Sequence, residues 1–83
     1  MNPNPKHEVI KDFIVKNFYV PDATLLSDDT SLIDQGIVDS TGVLEVTTFL
    51  EGKFGITIHD AEIVPENLDT IGRISAFVDR KVS

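Results

Sequence analysis

The stretch Asp34–Gly55, DQGIVDSTGVLEVTTFLEGKFG, carries the reading on which the fold turns. It opens as a loop around Gly36, reaches Asp39-Ser40, and then changes period. Val43, Val46, Thr47, Leu50 and Phe54 recur at helical spacing and form one apolar stripe. Asp39 suits the cap position, because its carboxylate can accept from the open amides of a first turn. Gly55 suits the far end, where a left-handed residue closes many helices. The spacing predicts a helix from Ser40 to Phe54, with the serine at its head.

Upstream, Val9, Ile10, Phe13, Ile14 and Phe18 make a second stripe of helical period, beginning at Lys6 and stopped by Pro21. Residues 1–5, MNPNP, read as a flexible lead-in, since Pro3 and Pro5 discourage regular structure. Between the two helices, Pro21 to Val38 reads as a long loop that Leu25, Leu26, Leu32, Ile33, Ile37 and Val38 can pin to a core. A loop of that length in so small a domain usually has a job. Downstream, Ile56-Thr57-Ile58 alternates like a strand but has no partner strand. An extended link is expected there, then a short helical turn near Asp60–Val64 ended by Pro65. A last helix runs from about Thr70 to Lys81, with Ile71, Ile74, Phe77 and Val78 inward and Asp69 as its expected cap. Arg80 and Lys81 sit where the helix dipole favours cations. The chain therefore reads as one all-α domain over residues 1–83, a small four-helix bundle of three main helices and one short one.

Composition narrows the function. Seven basic residues against fourteen acidic ones give a net charge of −7. Such a surface repels phosphate backbones and anionic lipid, so neither nucleic acid nor membrane is an expected partner, and proteins with basic patches are. There is no cysteine, hence no disulfide, no thiolate metal site and no cysteine nucleophile. No apolar run approaches the length of a bilayer span, and MNPNPKHE has no apolar leader region. A monomer in the cytoplasm is expected. Asp28, Asp29, Asp34 and Asp39 make the loop acidic, but their spacing is not that of a calcium loop, and no metal site is assigned.

Ser40 can be read three ways. It can simply begin a helix. It can be a nucleophile, which needs a base; His59 with an aspartate makes a triad on paper, yet no nucleophile elbow surrounds Ser40, and His7 and His59 read as solvated surface residues. It can be an attachment point, since a helix head suits a phosphate placed on its hydroxyl.

The run LIDQGIVDS followed by an amphipathic helix resembles the prosthetic-group site of acyl and peptidyl carrier proteins, through Leu32, Asp34, Gly36, Asp39 and Ser40. The resemblance extends over nearly the whole chain, including FLEGKFGI and the order of the helices. It implies that Ser40 accepts the 4′-phosphopantetheine arm of coenzyme A from a phosphopantetheinyl transferase, with Asp39 as the flanking motif residue. It implies a carrier without catalysis of its own, a cargo held as a thioester, and partners that load and unload it: activating ligases or synthases and acyltransferases with basic docking patches. Thr41, Leu44, Glu45, Thr48 and Glu51 share one helix face by spacing and are the expected docking residues. Thr41-Gly42 after the serine, and Gly52-Lys53 where acids are common, depart from the housekeeping fatty-acid carriers. Fatty-acyl cargo and aminoacyl or peptidyl cargo both stay open. A helical interaction module with Ser40 as a mere cap is the rival from another class.

Overall fold

A computed structural model of the chain describes residues 5–20 and 26–82. Its helices are α1 (Pro5–Asn17), α2 (Ser40–Phe54), α3 (Pro65–Leu68) and α4 (Ile71–Val82), with a 3-10 turn at Asp60–Glu62 between α2 and α3. Among the described residues there is no β-strand, and no helix is long and apolar enough to cross a membrane.

Every other helix packs on α4. The sequence explains why: Ile71, Ile74, Phe77 and Val78 fall on one face, and each is 2% exposed or less. Ile10 and Ile14 from α1 and Val46 and Leu50 from α2 complete the centre, joined by Leu26, Leu32, Val38, Ile58 and Leu68 from the connections. Burying a side chain of this size contributes about 1.5–3 kcal/mol, so these positions set the stability of so small a domain. Val43 and Phe54, expected inside, are half-buried at the edge of this core.

The loop into α2 is ordered by contacts that reach α4. Both carboxylate oxygens of Asp69 accept from the Ser31 hydroxyl, at 2.9 and 2.7 Å. The Ile33 amide donates to the same carboxylate at 3.1 Å, and the Leu32 amide to the Asp69 carbonyl at 2.7 Å. Farther up, the Gly72 amide donates to the Asp28 carbonyl at 3.0 Å. The loop then makes one helical turn that ends at Gly36, whose φ of +71° is left-handed. Ile37 donates to the Leu32 carbonyl at 2.9 Å and Gly36 to the Ile33 carbonyl at 3.0 Å, the paired bonds of a Schellman closure. That closure aims Val38 into the core and delivers Asp39 to the start of α2.

Four expectations need correction. Pro65 does not end the short helical segment. The 3-10 turn stops at Glu62 and Pro65 opens α3, because proline needs no amide partner in a first turn and its φ suits a helix start. Asp69 does not cap α4; Thr70 does, with its hydroxyl accepting from the Arg73 amide at 3.0 Å, since Asp69 is committed to Ser31 and Ile33. Pro5 opens α1 for the same reason that Pro65 opens α3. His7 is not merely solvated: its Nδ1 lies 2.8 Å from an Asp28 carboxylate oxygen, tying α1 to the loop. Residues 1–4, Pro21 and Leu25 lie outside the described residues.

The link after α2 behaves as its composition suggests. It is extended, with Ile58 buried, and its far end is held by a chain of polar contacts. Glu62 accepts from the His59 amide at 2.9 Å and from the Lys81 ammonium at 2.9 and 3.1 Å. The His59 amide first, and Lys81 with it, hold the Glu62 carboxyl below its ordinary range.

Candidate functional site

The site is the head of α2. Asp39 has an extended backbone and its carboxylate accepts from the Gly42 amide at 2.7 Å, which caps the helix. Ser40 is therefore the first helical residue, and it is exposed. The open amides of a first turn and the positive end of the helix dipole favour an anion at this place.

Gly42 is buried beneath that serine. A Cβ here would stand 2.8 Å from Cε1 of Phe18 and 3.3 Å from both the Asp39 carboxylate and Val38 Cγ1. The glycine that follows Ser40-Thr41 thus lets the end of α1 press against the first turn of α2. Nothing in the sequence alone linked Gly42 to Phe18; the ring comes from a residue 24 positions earlier (42 − 18).

Phe18 is the start of an aromatic series along the α1–α2 seam. Phe13 meets it edge-on with centroids 6.0 Å apart and stacks on Phe49 at 4.0 Å. Phe49 in turn meets Phe54 edge-on at 6.5 Å. Beside this series an open groove of about 470 Å³ is lined by Phe13, Asn17, Thr41, Leu44, Glu45, Thr48 and Phe49. Thr41, Leu44, Glu45 and Thr48 are brought together as their spacing predicts, and all four are exposed. Glu51 is not among them. It is half-buried, and its carboxylate accepts from the Ile58 amide at 2.8 Å.

The other candidate residues lie apart. His59 lines a depression with Phe54, Gly55 and Lys81 at the far end of α2. Fifteen helical residues span about 22 Å, so His59 is out of reach of Ser40 and no triad forms. Asp28 is paired with His7, while Asp39 is bonded to Gly42. Among the described residues no three His, Cys, Asp or Glu side chains come together as a metal site. Thr47 is buried as expected, and its hydroxyl donates to the Leu44 carbonyl three residues back at 2.8 Å. Thr48 donates to the same carbonyl at 3.0 Å.

An exposed hydroxyl at a capped helix head, with His59 at the far end of that helix, is suited to be modified. The model of the phosphopantetheine attachment site family matches residues 8–78. The chain belongs to this family of carrier proteins. It is similar to the D-alanyl carrier protein of Abiotrophia defectiva, 34% identical over 55 residues that cover 66% of this chain and 70% of that one. It is also similar to the D-alanyl carrier protein of Streptococcus suis, at 31% over 65 residues, covering 78% and 81% of the two chains. The acyl carrier protein of Thermotoga maritima matches at 26% over 61 residues, covering 74% and 73%. As a carrier protein of this family it bears a covalent 4′-phosphopantetheine arm and is not itself a catalyst. The chemistry at the head of α2 fits such a group: the Ser40 side chain is open to solvent, and the helix terminus accommodates a phosphodiester.

Two glycines of α2 should respond oppositely to alanine. Gly52 is exposed with nothing within 4 Å of an added Cβ, so Gly52→Ala should raise stability by about 1 kcal/mol through helix propensity. Gly42→Ala should lower it by about 1–3 kcal/mol, because Phe18 and the Asp39 cap must give way. Urea unfolding of both variants checks this, and a stabilised Gly42→Ala protein would contradict the packing described here.

Proposed function

We propose that Ser40 is the attachment residue and that the chain carries a small acyl or aminoacyl group between partner enzymes. The carrying observation is the exposed serine at the capped head of α2, inside the region that the family model matches. In the proposed reaction a phosphopantetheinyl transferase, with magnesium, joins Ser40 Oγ to the pantetheine phosphate of coenzyme A. The bond from that phosphate to the nucleotide half breaks, and the hydroxyl proton leaves. Asp39 contributes by holding the first turn through Gly42, and it does not need to act as a base. In this reading the step takes place in the cytoplasm, where coenzyme A and the transferase would be met. Intact-mass measurement after incubation with coenzyme A, magnesium and a broad-specificity transferase should show one arm added. Ser40→Ala should gain none and stay folded, because even a lost cap costs only about 1 kcal/mol. An unmodified wild type, or a modified Ser40→Ala, would sink the assignment.

For cargo, the aminoacyl reading has the stronger support. Relatives from Abiotrophia defectiva, Streptococcus suis and Streptococcus mutans are named D-alanyl carrier proteins. The core beside α2 is closed, with Leu50, Ile71 and Ile74 at 1% exposure or less, which leaves a long chain no ready place inside. The fatty-acyl reading rests on the likeness to the acyl carrier protein of Thermotoga maritima.

Loading and acceptor enzymes would dock on the exposed face of Thr41, Leu44, Glu45 and Thr48 through basic patches, with the carrier acting as a monomer. Glu51 is left out of this face, because its carboxylate is occupied by the Ile58 amide. Glu45→Lys should slow acyl transfer from a partner several-fold, and more at low salt than at high, since rim charges act mainly on association. Transfer rates indifferent to both charge and salt would place docking elsewhere.

A further inference from the structure

The groove between α1 and α2 is not used by the attachment chemistry, yet it begins beside Ser40. We propose that it is the resting place of the carrier's own arm, which lies along Leu44, Thr48 and Phe49 when no partner is bound. This rests on Ser40 being the attachment residue.

Three observations support it. The first is tethering: Thr41, next in sequence to Ser40, lines the head of the groove. Thr48 lies about 12 Å along α2 from Ser40, within the span of an extended pantetheine arm. The second is chemistry. A pantetheine arm alternates methyl and methylene groups with amides. The groove offers Phe13, Phe49 and Leu44 for the former, and Leu44 is 57% exposed. Its rim offers acceptors for amide N–H groups. Asn17 donates its amide nitrogen to the Phe13 carbonyl at 3.0 Å, which leaves its side-chain oxygen available. Thr48 donates to the Leu44 carbonyl and keeps its lone pairs. The third is the packing on the other side of the helix: Val46 and Leu50, on the opposite side of α2, are 2% and 0% exposed among the described residues.

The arrangement has a consequence for delivery. The arm and a docked enzyme would compete for Leu44 and Thr48, so docking itself frees the arm to enter the partner. The groove also shields the arm from solvent between encounters.

The test uses isotope-labelled carrier with an unlabelled arm. Intact mass first establishes that one arm is on Ser40. Filtered NOE spectra of the holo protein should then show contacts from the arm's methyl groups to Leu44, Thr48 and Phe49. Asn17→Ala, a change at an exposed α1 residue that lines the groove but lies outside the docking face, should weaken those contacts while the mass gain persists. Holo protein with the mass gain but with shift changes confined to residues 39–42 would overturn the groove and leave the attachment standing. Changes running through Val46, Leu50 and Ile71 would overturn it in favour of the bundle interior. No mass gain would overturn the attachment, and the groove with it.

Discussion

Asp69 is the constraint on which the rest depends. Its carboxylate holds the Ser31 hydroxyl and the Ile33 amide, and its carbonyl holds the Leu32 amide. Hydrogen bonds to a charged group contribute about 1.5–3 kcal/mol each, a large share of what a domain this small can muster. The bonds join the loop to the entry of α4, the helix against which all the others pack. From that anchor the chain has little freedom: the turn closes at Gly36, Val38 enters the core, and Asp39 caps α2. Ser40 follows a loop segment, residues 31–38, that is bonded to a residue far along the chain.

The long helices were legible because their evidence is local. Apolar period alone gives α1, α2 and α4, and Asp39 and Gly55 bracket α2 as their chemistry predicts. The family resemblance was legible as well, because the family model matches residues 8–78. What could not be read depended on distance or on ambiguity. The partners Ser31 and Asp69 are 38 positions apart, and a serine and an aspartate carry no mark of a shared bond. Asp69 beside a helix start looks like a cap, and only the fold shows that Thr70 takes that role. Pro65 can end one helix or begin another, and composition does not choose. Glu51 shares a helix face with Thr48 by spacing, but the returning link places the Ile58 amide against it.

The same economy runs through function. A carrier needs a presented hydroxyl, a helix terminus tolerant of phosphate and a face that others can hold. This chain meets those needs with one loop and one helix, and uses no residue for catalysis. Gly42 is the point where presentation and packing meet: it lets Phe18 close the α1–α2 seam directly below the serine. The aromatic series that begins there borders the open groove, so the exposed Ser40, the exposed face of Thr41, Leu44, Glu45 and Thr48, and the groove share one edge of the domain.

The central claim is that Asp69 sets the position of Ser40 through the loop. Amide hydrogen exchange on Asp69→Ala, read beside the rate of arm addition, tests it most directly. The account predicts faster exchange at Leu32, Ile33 and Asp34 and slower modification of Ser40, with protection at Ile74 and Val78 in α4 retained. Unchanged loop protection together with an unchanged rate of modification would contradict it.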